Sequence, residues 1–126
     1  MRRETRQYIC AELLNYQRSR NEMHRIREKL DDIRLFPAYS KDYTAERKMY
    51  LQDRLFFLQR ITEAISIMSR ECSSEEKKVL ELKFWSPSPR PTDNEIAKKL
   101  GMSTRTLYRN INSICRRVGM LMGTDI

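Results

Sequence analysis

The stretch TDNEIAKKLGMSTRTLYRNINSI, residues 92–114, has the spacing of small, apolar and basic residues that is typical of two helices meeting at a fixed angle. Thr92 and Glu95 have the spacing of a capping box, which predicts that a helix begins directly after Thr92. Gly101 follows where this helix would close on a left-handed residue, and Ser103 is suited to cap the next helix. The stretch therefore predicts a helix-turn-helix.

The apolar residues of this stretch and of its continuation fall on one face of each predicted helix. On the earlier helix they are Ile96, Ala97 and Leu100, and Ala97 is small because the two helices cross there. The later helix is predicted to bury Leu107, Ile111, Ile114, Cys115 and Val118. The caps, the turn glycine and the apolar registers all agree with a helix-turn-helix. This agreement favours a DNA-binding role over a purely structural three-helix unit.

The residues that the later helix leaves on its solvent side are polar or basic. They are Thr104, Arg105, Tyr108, Arg109 and Asn112. Further along, Arg116 and Arg117 are either phosphate contacts or solvated charges. No acidic residue occurs between positions 96 and 124, so this face is suited to a polyanion.

Each of these side chains fits a particular DNA contact. Arg105 and Arg109 suit guanine edges or phosphates, and Asn112 suits adenine. The hydroxyls of Ser103 and Thr104 lie where a helix N-terminus would bind a phosphate. The predicted DNA-binding set is Thr92, Ser103, Thr104, Arg105, Tyr108, Arg109, Asn112, Arg116 and Arg117.

The charge of the whole chain agrees with an anionic partner. Lys and Arg number 25 among 126 residues and Asp and Glu number 17, so the net charge is +8. A positive field of this size favours phosphate-rich partners, with a protein that is merely basic as the alternative. The length allows one compact domain, or a small domain with an extended element.

The cysteines, the histidine and the apolar runs exclude several classes of protein. Cys10, Cys72 and Cys115 are odd in number, lie far apart and form no C-x-x-C pair, so neither a disulfide framework nor a zinc site is expected. We expect reduced cytoplasmic thiols and a solvated His24. No run of about 18 apolar residues predicts a membrane span. We expect no metal, no cofactor and no enzyme, because no Ser, Tyr or carboxylate cluster has a partner base.

The first part of the chain has the pattern of a long amphipathic helix. Apolar residues recur every seven positions and have apolar neighbours, at Ile9, Leu13, Tyr16, Met23, Ile26, Leu30 and Ile33. This stripe predicts one helix over residues 4–34. The sequence LFPAYSKDYT then interrupts it, because Pro37 disfavours a helix before it, and Ser40, Asp42 and Thr44 offer turn and cap chemistry.

A second long helix is predicted over residues 45–70. One of its apolar stripes consists of Leu51, Leu55, Leu58 and Ile65. A second stripe, displaced by about 100°, consists of Tyr50, Phe57, Ile61, Ala64 and Met68. A helix that is apolar over about half of its circumference needs two neighbours. One is the first helix, and the other is either a second copy of the chain or the C-terminal unit.

The C-terminal unit begins at CSSEEKKVLELKFW, where Ser73 and Glu76 have capping-box spacing. Trp85 is predicted to anchor the core, and the SPSPRP that follows it breaks the helix. We therefore predict an all-α fold, with a long N-terminal helical hairpin in residues 1–71 and a helix-turn-helix DNA-binding domain in residues 72–126.

Two segments of the C-terminal unit resemble known DNA-binding modules. SSEEKKVLELKFW followed by TDNEIAKKLGMSTRTLYRNINSICRRV is similar to region four of bacterial sigma factors and to the module of LuxR-type regulators. The shared pattern, within residues 73–118, is E-x-x-V-L-x-L-x-F and then T-x-x-E-I-A-x-x-L-G-x-S-x-x-T-L. With the long helical segment in front, the whole chain resembles the small phage-encoded late transcription regulators of the RinA and ArpU kind.

This resemblance implies binding to double-stranded DNA at a promoter or regulatory site, through the helix that carries Arg105, Tyr108 and Arg109. We expect a transcriptional regulator, a phage late-gene activator, in the cytoplasm of a bacterial host cell. The alternative is a small terminase subunit or other phage DNA-packaging protein, which also joins a helix-turn-helix to oligomerising helices. The N-terminal hairpin has three open roles, as a dimerisation arm, a contact with bacterial RNA polymerase, or a brace.

We predict that the protein forms a homodimer or a higher oligomer. A lone helix-turn-helix reads few base pairs, and regulators commonly place two on half-sites about 34 to 36 Å apart. The seven-residue stripe also extends for roughly 36 Å, more than a small C-terminal unit covers. Light scattering at micromolar concentration, with and without DNA, should give at least a dimer mass. A monomer mass in both conditions would contradict the prediction.

Overall fold

A computed structural model describes residues 1–36 and 45–123 of the chain. Within these ranges the secondary structure is entirely helical, which confirms the all-α fold class. None of the helices described is long and apolar enough to cross a membrane. In chain order they are α1 (Arg3–Leu14), α2 (Tyr16–Leu35), α3 (Ala45–Glu71), α4 (Ser74–Lys83), α5 (Asp93–Leu100) and α6 (Thr104–Leu121).

The first predicted helix is interrupted at Asn15. This residue has φ −94° and ψ 7°, and its side chain makes no capping hydrogen bond. Such angles lie in the bridge region of backbone space, and Asn is a weak helix former because its amide competes for backbone groups. The prediction of one continuous helix over residues 4–34 is therefore wrong at this position, although the apolar stripe runs through it.

The chain forms two compact units. The middle unit is Asn15–Glu63, and the terminal unit combines Met1–Leu14 with the chain from Ala64 onward. These units are divided differently from the predicted domains 1–71 and 72–126, because α1 packs against α6. The assignment of DNA binding to residues 72–126, and of a separate role to the hairpin in residues 1–71, stays a prediction. The predicted turn at Pro37, with Ser40, Asp42 and Thr44, lies outside the described residues.

The core of the middle unit lies between α2 and the first part of α3. Buried Met23 and Ile26 of α2 meet buried Leu51 and Leu58 of α3. The half-buried residues that pack around them are Leu30, Ile33, Leu55 and Phe57. Three residues of one predicted stripe of α3, namely Leu51, Leu55 and Leu58, therefore pack with residues of α2.

Two residues of the predicted stripes lie elsewhere. Leu13 is fully buried, but it belongs to the terminal unit and not to the cluster around Leu58. Tyr50 is 65% exposed, because α2 covers the side of α3 on which Leu51 lies, about 100° away. The rest of the second stripe is buried or half-buried.

The core of the terminal unit is organised around α6. Helices α1, α4 and α5 all pack against α6, and α4 also packs against α5. The indole Nε1 of half-buried Trp85 donates a hydrogen bond to the carbonyl of Leu13, 3.1 Å away, at the end of α1. Buried apolar residues of this unit include Ile9, Leu13, Val79, Leu80, Phe84, Ile96, Ala97, Leu107, Ile111, Ile114, Cys115 and Val118.

The ends of the helices carry the predicted capping groups. Ser73 and Thr92 each close a capping box at the start of α4 and α5, and Ser103 caps α6. Gly101 ends α5 with φ 67° and ψ 35°, so its backbone is left-handed. The N–H of Met102 reaches the carbonyl of Ala97 and that of Gly101 reaches Lys98, which is the pattern of a Schellman motif.

We predict that Leu58→Ala destabilises the protein by about 2 to 5 kcal/mol, because Leu58 is fully buried and its loss leaves a cavity between α2 and α3. Chemical denaturation followed by circular dichroism measures this loss. Phe56→Ala is the matched control, since Phe56 on the same helix is 61% exposed, and it should change the stability by less than about 0.5 kcal/mol. Equal effects of the two substitutions would contradict the packing.

Candidate nucleic-acid interface

Three arginines form one stripe along the solvent side of α6. At about 100° per residue, Arg105, Arg109 and Arg116 fall within an arc of roughly 40° and extend over roughly 17 Å. All three are exposed. Within residues 1–36 and 45–123 no ion pair or hydrogen bond engages their guanidinium groups. The three charges are therefore available to an anionic partner. We call this set the arginine stripe.

Tyr108 and Asn112 lie beside the arginine stripe, and Arg6 of α1 contacts both side chains. The Arg6 guanidinium stacks over the Tyr108 ring at 4.2 Å from its centroid. Its Nε also donates a hydrogen bond to Oδ1 of Asn112, at 2.6 Å. A bidentate contact with adenine uses both the oxygen and the nitrogen of an Asn amide. A bidentate contact of this kind at Asn112 would therefore require that Arg6 release the amide oxygen.

The N-terminus of the chain adds further positive charge beside α6. Arg2 and Arg3 are exposed at the start of α1, next to Arg6. An open cleft of about 340 Å³ is lined by Met1, Arg6, Arg109, Asn112, Ser113 and Arg116. The contribution of the basic opening MRRETR to this surface was not predicted from the sequence. The charge of the opening is visible in the sequence, but only the tertiary structure shows that these residues lie beside α6.

The hydroxyls predicted to bind phosphate are mostly engaged in capping. Ser103 Oγ accepts from the N–H of Thr106 at 3.0 Å and lies 3.0 Å from the Thr106 hydroxyl. Thr92 Oγ1 accepts from the N–H of Glu95 and donates to its carboxylate. Thr104 is exposed at the first position of α6. Thr92 and Ser103 thus orient two helix N-termini, whose partial positive charge favours anions.

Arg117 differs from its neighbour Arg116, since it turns toward α4. Its Nη1 lies 3.7 Å from Oε1 of Glu76, which is close enough for an ion pair but too long for a hydrogen bond. Glu76 is only 8% exposed. The Ser113 hydroxyl donates to Oε2 of Glu76 at 2.8 Å, and the Ser73 N–H donates to Oε1 at 3.0 Å. Arg117 therefore belongs to a buried network and not to the arginine stripe.

The environment of Glu76 favours its charged form. Burial by itself would raise the pKa of this carboxyl, but the hydrogen bonds from Ser73 and Ser113 and the charge of Arg117 outweigh it and lower the pKa below its ordinary value. The carboxylate therefore joins the start of α4 to the middle of α6 as an ion. This network therefore holds α6 against α4.

Comparisons of the chain with models of protein families, with curated proteins and with solved structures found no match. The interpretation of this surface therefore depends on its own chemistry. In the part of the chain that the structure describes, an exposed stripe of unpaired arginines, two helix N-termini and the basic residues at the start of α1 lie on or beside one helix that has no acidic residue. Such a surface is suited to a rod of closely spaced negative charges.

We predict that the stability of the protein falls as the pH drops below about 4.5, in part through Glu76. A carboxyl whose pKa is lowered by folding stabilises the folded state above its unfolded pKa, and this contribution is lost as the pH falls through the folded value. Denaturation midpoints measured between pH 3 and pH 7, the range about the ordinary carboxyl pKa, should fall less steeply with acid in Glu76→Gln.

At neutral pH, Glu76→Gln should cost about 1 to 3 kcal/mol, because Arg117 loses its partner and two donors lose a charged acceptor. Glu81→Gln, at an exposed position of the same helix, is the control and should change stability by less than about 0.5 kcal/mol. If the Glu76 variant keeps the acid sensitivity of the parent protein, the network does not contribute as described.

Proposed function

We propose that the protein is a sequence-specific DNA-binding transcriptional regulator in which α4, α5 and α6 form a helix-turn-helix unit similar to region four of sigma factors. The observation that carries this proposal is the arginine stripe. Arg105, Arg109 and Arg116 are exposed and unpaired within the described ranges, on a helix that a Schellman turn joins to α5. A face of this kind, on the second helix of such a pair, is the part that reads DNA in helix-turn-helix proteins.

In the proposed complex, α6 lies in the major groove with its N-terminal turns against the bases. Arg105 and Arg109 are the base-reading residues, because a guanidinium makes two parallel hydrogen bonds with O6 and N7 of guanine. Arg116 lies two to three turns further along the helix and binds a phosphate. Thr104 contacts the backbone where the positive end of α6 meets a phosphate.

The proposed role of α1 is to extend the contact with the DNA backbone. Arg2 and Arg3 are exposed at its start, and Arg6 lies against the side of α6. Phosphate contacts position a protein on the duplex without specifying a sequence. In the proposed complex, Arg6 leaves Asn112 for a phosphate and frees the amide of Asn112 to read an adenine.

The biological setting that we propose follows the resemblance of residues 73–118. The regulator acts in the cytoplasm of a bacterial host cell, as a phage late-gene activator, and it has no enzymatic activity. A homodimer or higher oligomer and a contact with bacterial RNA polymerase are the proposed means of reaching sufficient specificity. The competing role in DNA packaging predicts ring-shaped oligomers, which electron microscopy of the purified protein distinguishes from dimers.

The first test maps where the protein binds on its own source genome. Chromatin immunoprecipitation should recover a small number of promoter-proximal sites. Recovery of a single packaging site would favour the small terminase subunit, and uniform recovery of all sequences would contradict sequence-specific regulation. A short duplex from the strongest site then serves for affinity measurements.

We predict that Arg105→Ala and Arg109→Ala each weaken binding to this duplex by about 1 to 3 kcal/mol while affecting a scrambled duplex much less. Arg27→Ala is the matched control, because it removes the same charge from an exposed position of α2. The loss of affinity should be smaller in Arg27→Ala than in Arg105→Ala or Arg109→Ala. Fluorescence anisotropy measures the affinities, and circular dichroism confirms equal helix content. Unchanged affinity in the double variant would overturn the proposed reading face.

Arg116→Ala should weaken binding to both duplexes alike and reduce the slope of log affinity against log salt by about one unit, as loss of one phosphate contact does. Arg117→Ala provides the contrast, because Arg117 pairs with Glu76. We expect it to lower stability and leave the salt slope unchanged. A lost salt-dependent contact in Arg117→Ala would place this arginine on DNA instead.

A further inference from the structure

Two cysteines that are far apart in sequence meet in the terminal unit. Cys10 of α1 and Cys115 of α6 have their sulfur atoms 3.6 Å apart. Cys115 is fully buried, and Cys10 is half-buried. A disulfide has an S–S length of about 2.05 Å. The two sulfurs therefore need to approach by about 1.5 Å to form one.

Cys10 is also open to small molecules. It lines an open cleft of about 400 Å³ together with residues of α1, α4, α5 and α6, among them Arg6, Lys83, Asp93 and Tyr108. Two cations, Arg6 and Lys83, and one anion, Asp93, are thus the charged groups of this wall. Asp93 is paired with Lys83 at 2.8 Å. Partial exposure beside positive charge is the setting in which cysteines react.

The two thiols have opposite tendencies to ionise. The hydrogen bond with Cys115, together with the charges of Arg6 and Lys83, lowers the pKa of Cys10 to about 7, against the opposing effects of burial and of the Asp93 charge. The hydrogen bond with Cys10 and burial both raise the pKa of Cys115. Cys10 is therefore the thiolate that reacts first, whereas Cys115 stays a protonated, buried thiol.

We propose that Cys10 and Cys115 form a redox site at which a hydroperoxide oxidises Cys10 and the chain closes a reversible disulfide between α1 and α6. The Cys10 thiolate attacks one oxygen of hydrogen peroxide, the O–O bond breaks, and the released hydroxide takes a proton to form water. Cys10 is then a sulfenic acid. The Cys115 sulfur attacks the Cys10 sulfur, the S–O bond breaks, and a second water leaves with the Cys115 proton. Two thiols are oxidised by two electrons, and the peroxide is reduced.

The oxidation of the two thiols does not depend on the proposed DNA binding, although the cleft shares Arg6 and Tyr108 with the candidate interface. Its effect on the fold is to fasten the N-terminal helix covalently to α6, next to Arg6 and its contacts with Tyr108 and Asn112. A dithiol reductant restores the free thiols. The third cysteine is an internal control, because Cys72 donates to the carbonyl of Ser69 and burial raises its pKa, as does the charge of Glu76.

The first test measures thiol reactivity in the full-length protein by mass spectrometry. Iodoacetamide should modify Cys10 with a midpoint near pH 7, and at neutral pH at least about tenfold faster than Cys72. Cys115 should react only after denaturation. Equal rates at Cys10 and Cys72 would overturn the assignment of Cys10 as the reactive thiolate.

The second test uses Cys72→Ser protein treated with one equivalent of hydrogen peroxide and digested without reductant. A linked peptide containing Cys10 and Cys115 is expected, and dithiothreitol should remove it. Cys115→Ser should instead accumulate sulfenic acid on Cys10, trapped by dimedone, and Cys10→Ser should show neither product. Intermolecular cross-links, sulfinic acid on Cys10 without the linked peptide, or no oxidation of the parent protein would each overturn the proposal. None of these readouts involves DNA, so their failure would leave the proposed function untouched.

Discussion

The apolar face of α6 is the constraint on which the terminal unit depends. Three other helices pack against this one helix, and the residues that they cover include Leu107, Ile111, Ile114 and Val118. A helix that gives so much of its circumference to packing leaves one arc, roughly half of the circumference, to solvent. The arginine stripe lies on that arc, so the packing that stabilises α6 also decides which of its side chains face solvent.

The contacts on the two flanks of α6 separate its basic residues into different roles. On one flank, buried Glu76 of α4 pairs with Arg117 and accepts a hydrogen bond from Ser113. The positive charge of Arg117 therefore interacts with another helix of the same fold. On the other flank, Arg6 of α1 stacks on Tyr108 and bonds to Asn112. Sequence position alone would treat Arg116 and Arg117 as equivalent. They differ because adjacent residues of a helix point about 100° apart, toward solvent and toward α4.

The N-terminal helix gives this unit an unusual chain order. Residues 1–14 lie on the last helix, although the whole middle unit separates them in sequence. A terminus held only at its surface would fray, but here Ile9 and Leu13 are buried and the Trp85 indole bonds to the end of α1. The same docking brings Cys10 against Cys115 and adds the charges of Arg2, Arg3 and Arg6 to the side of α6. One packing event therefore supplies stability, a pair of thiols and positive charge.

The sequence by itself determined the features whose cause is local. Capping boxes, the glycine that closes α5 and the apolar periods of α5 and α6 depend on residues a few positions apart, so Thr92, Gly101, Ser103 and Leu107 could be interpreted without a structure. The break at Asn15 was missed because the apolar stripe continues through it. Only the tertiary structure decided the contacts of Arg6 and Arg117 and the meeting of Cys10 with Cys115. These pairs join residues that are distant in sequence, and no periodicity of a single helix specifies which distant surface it meets.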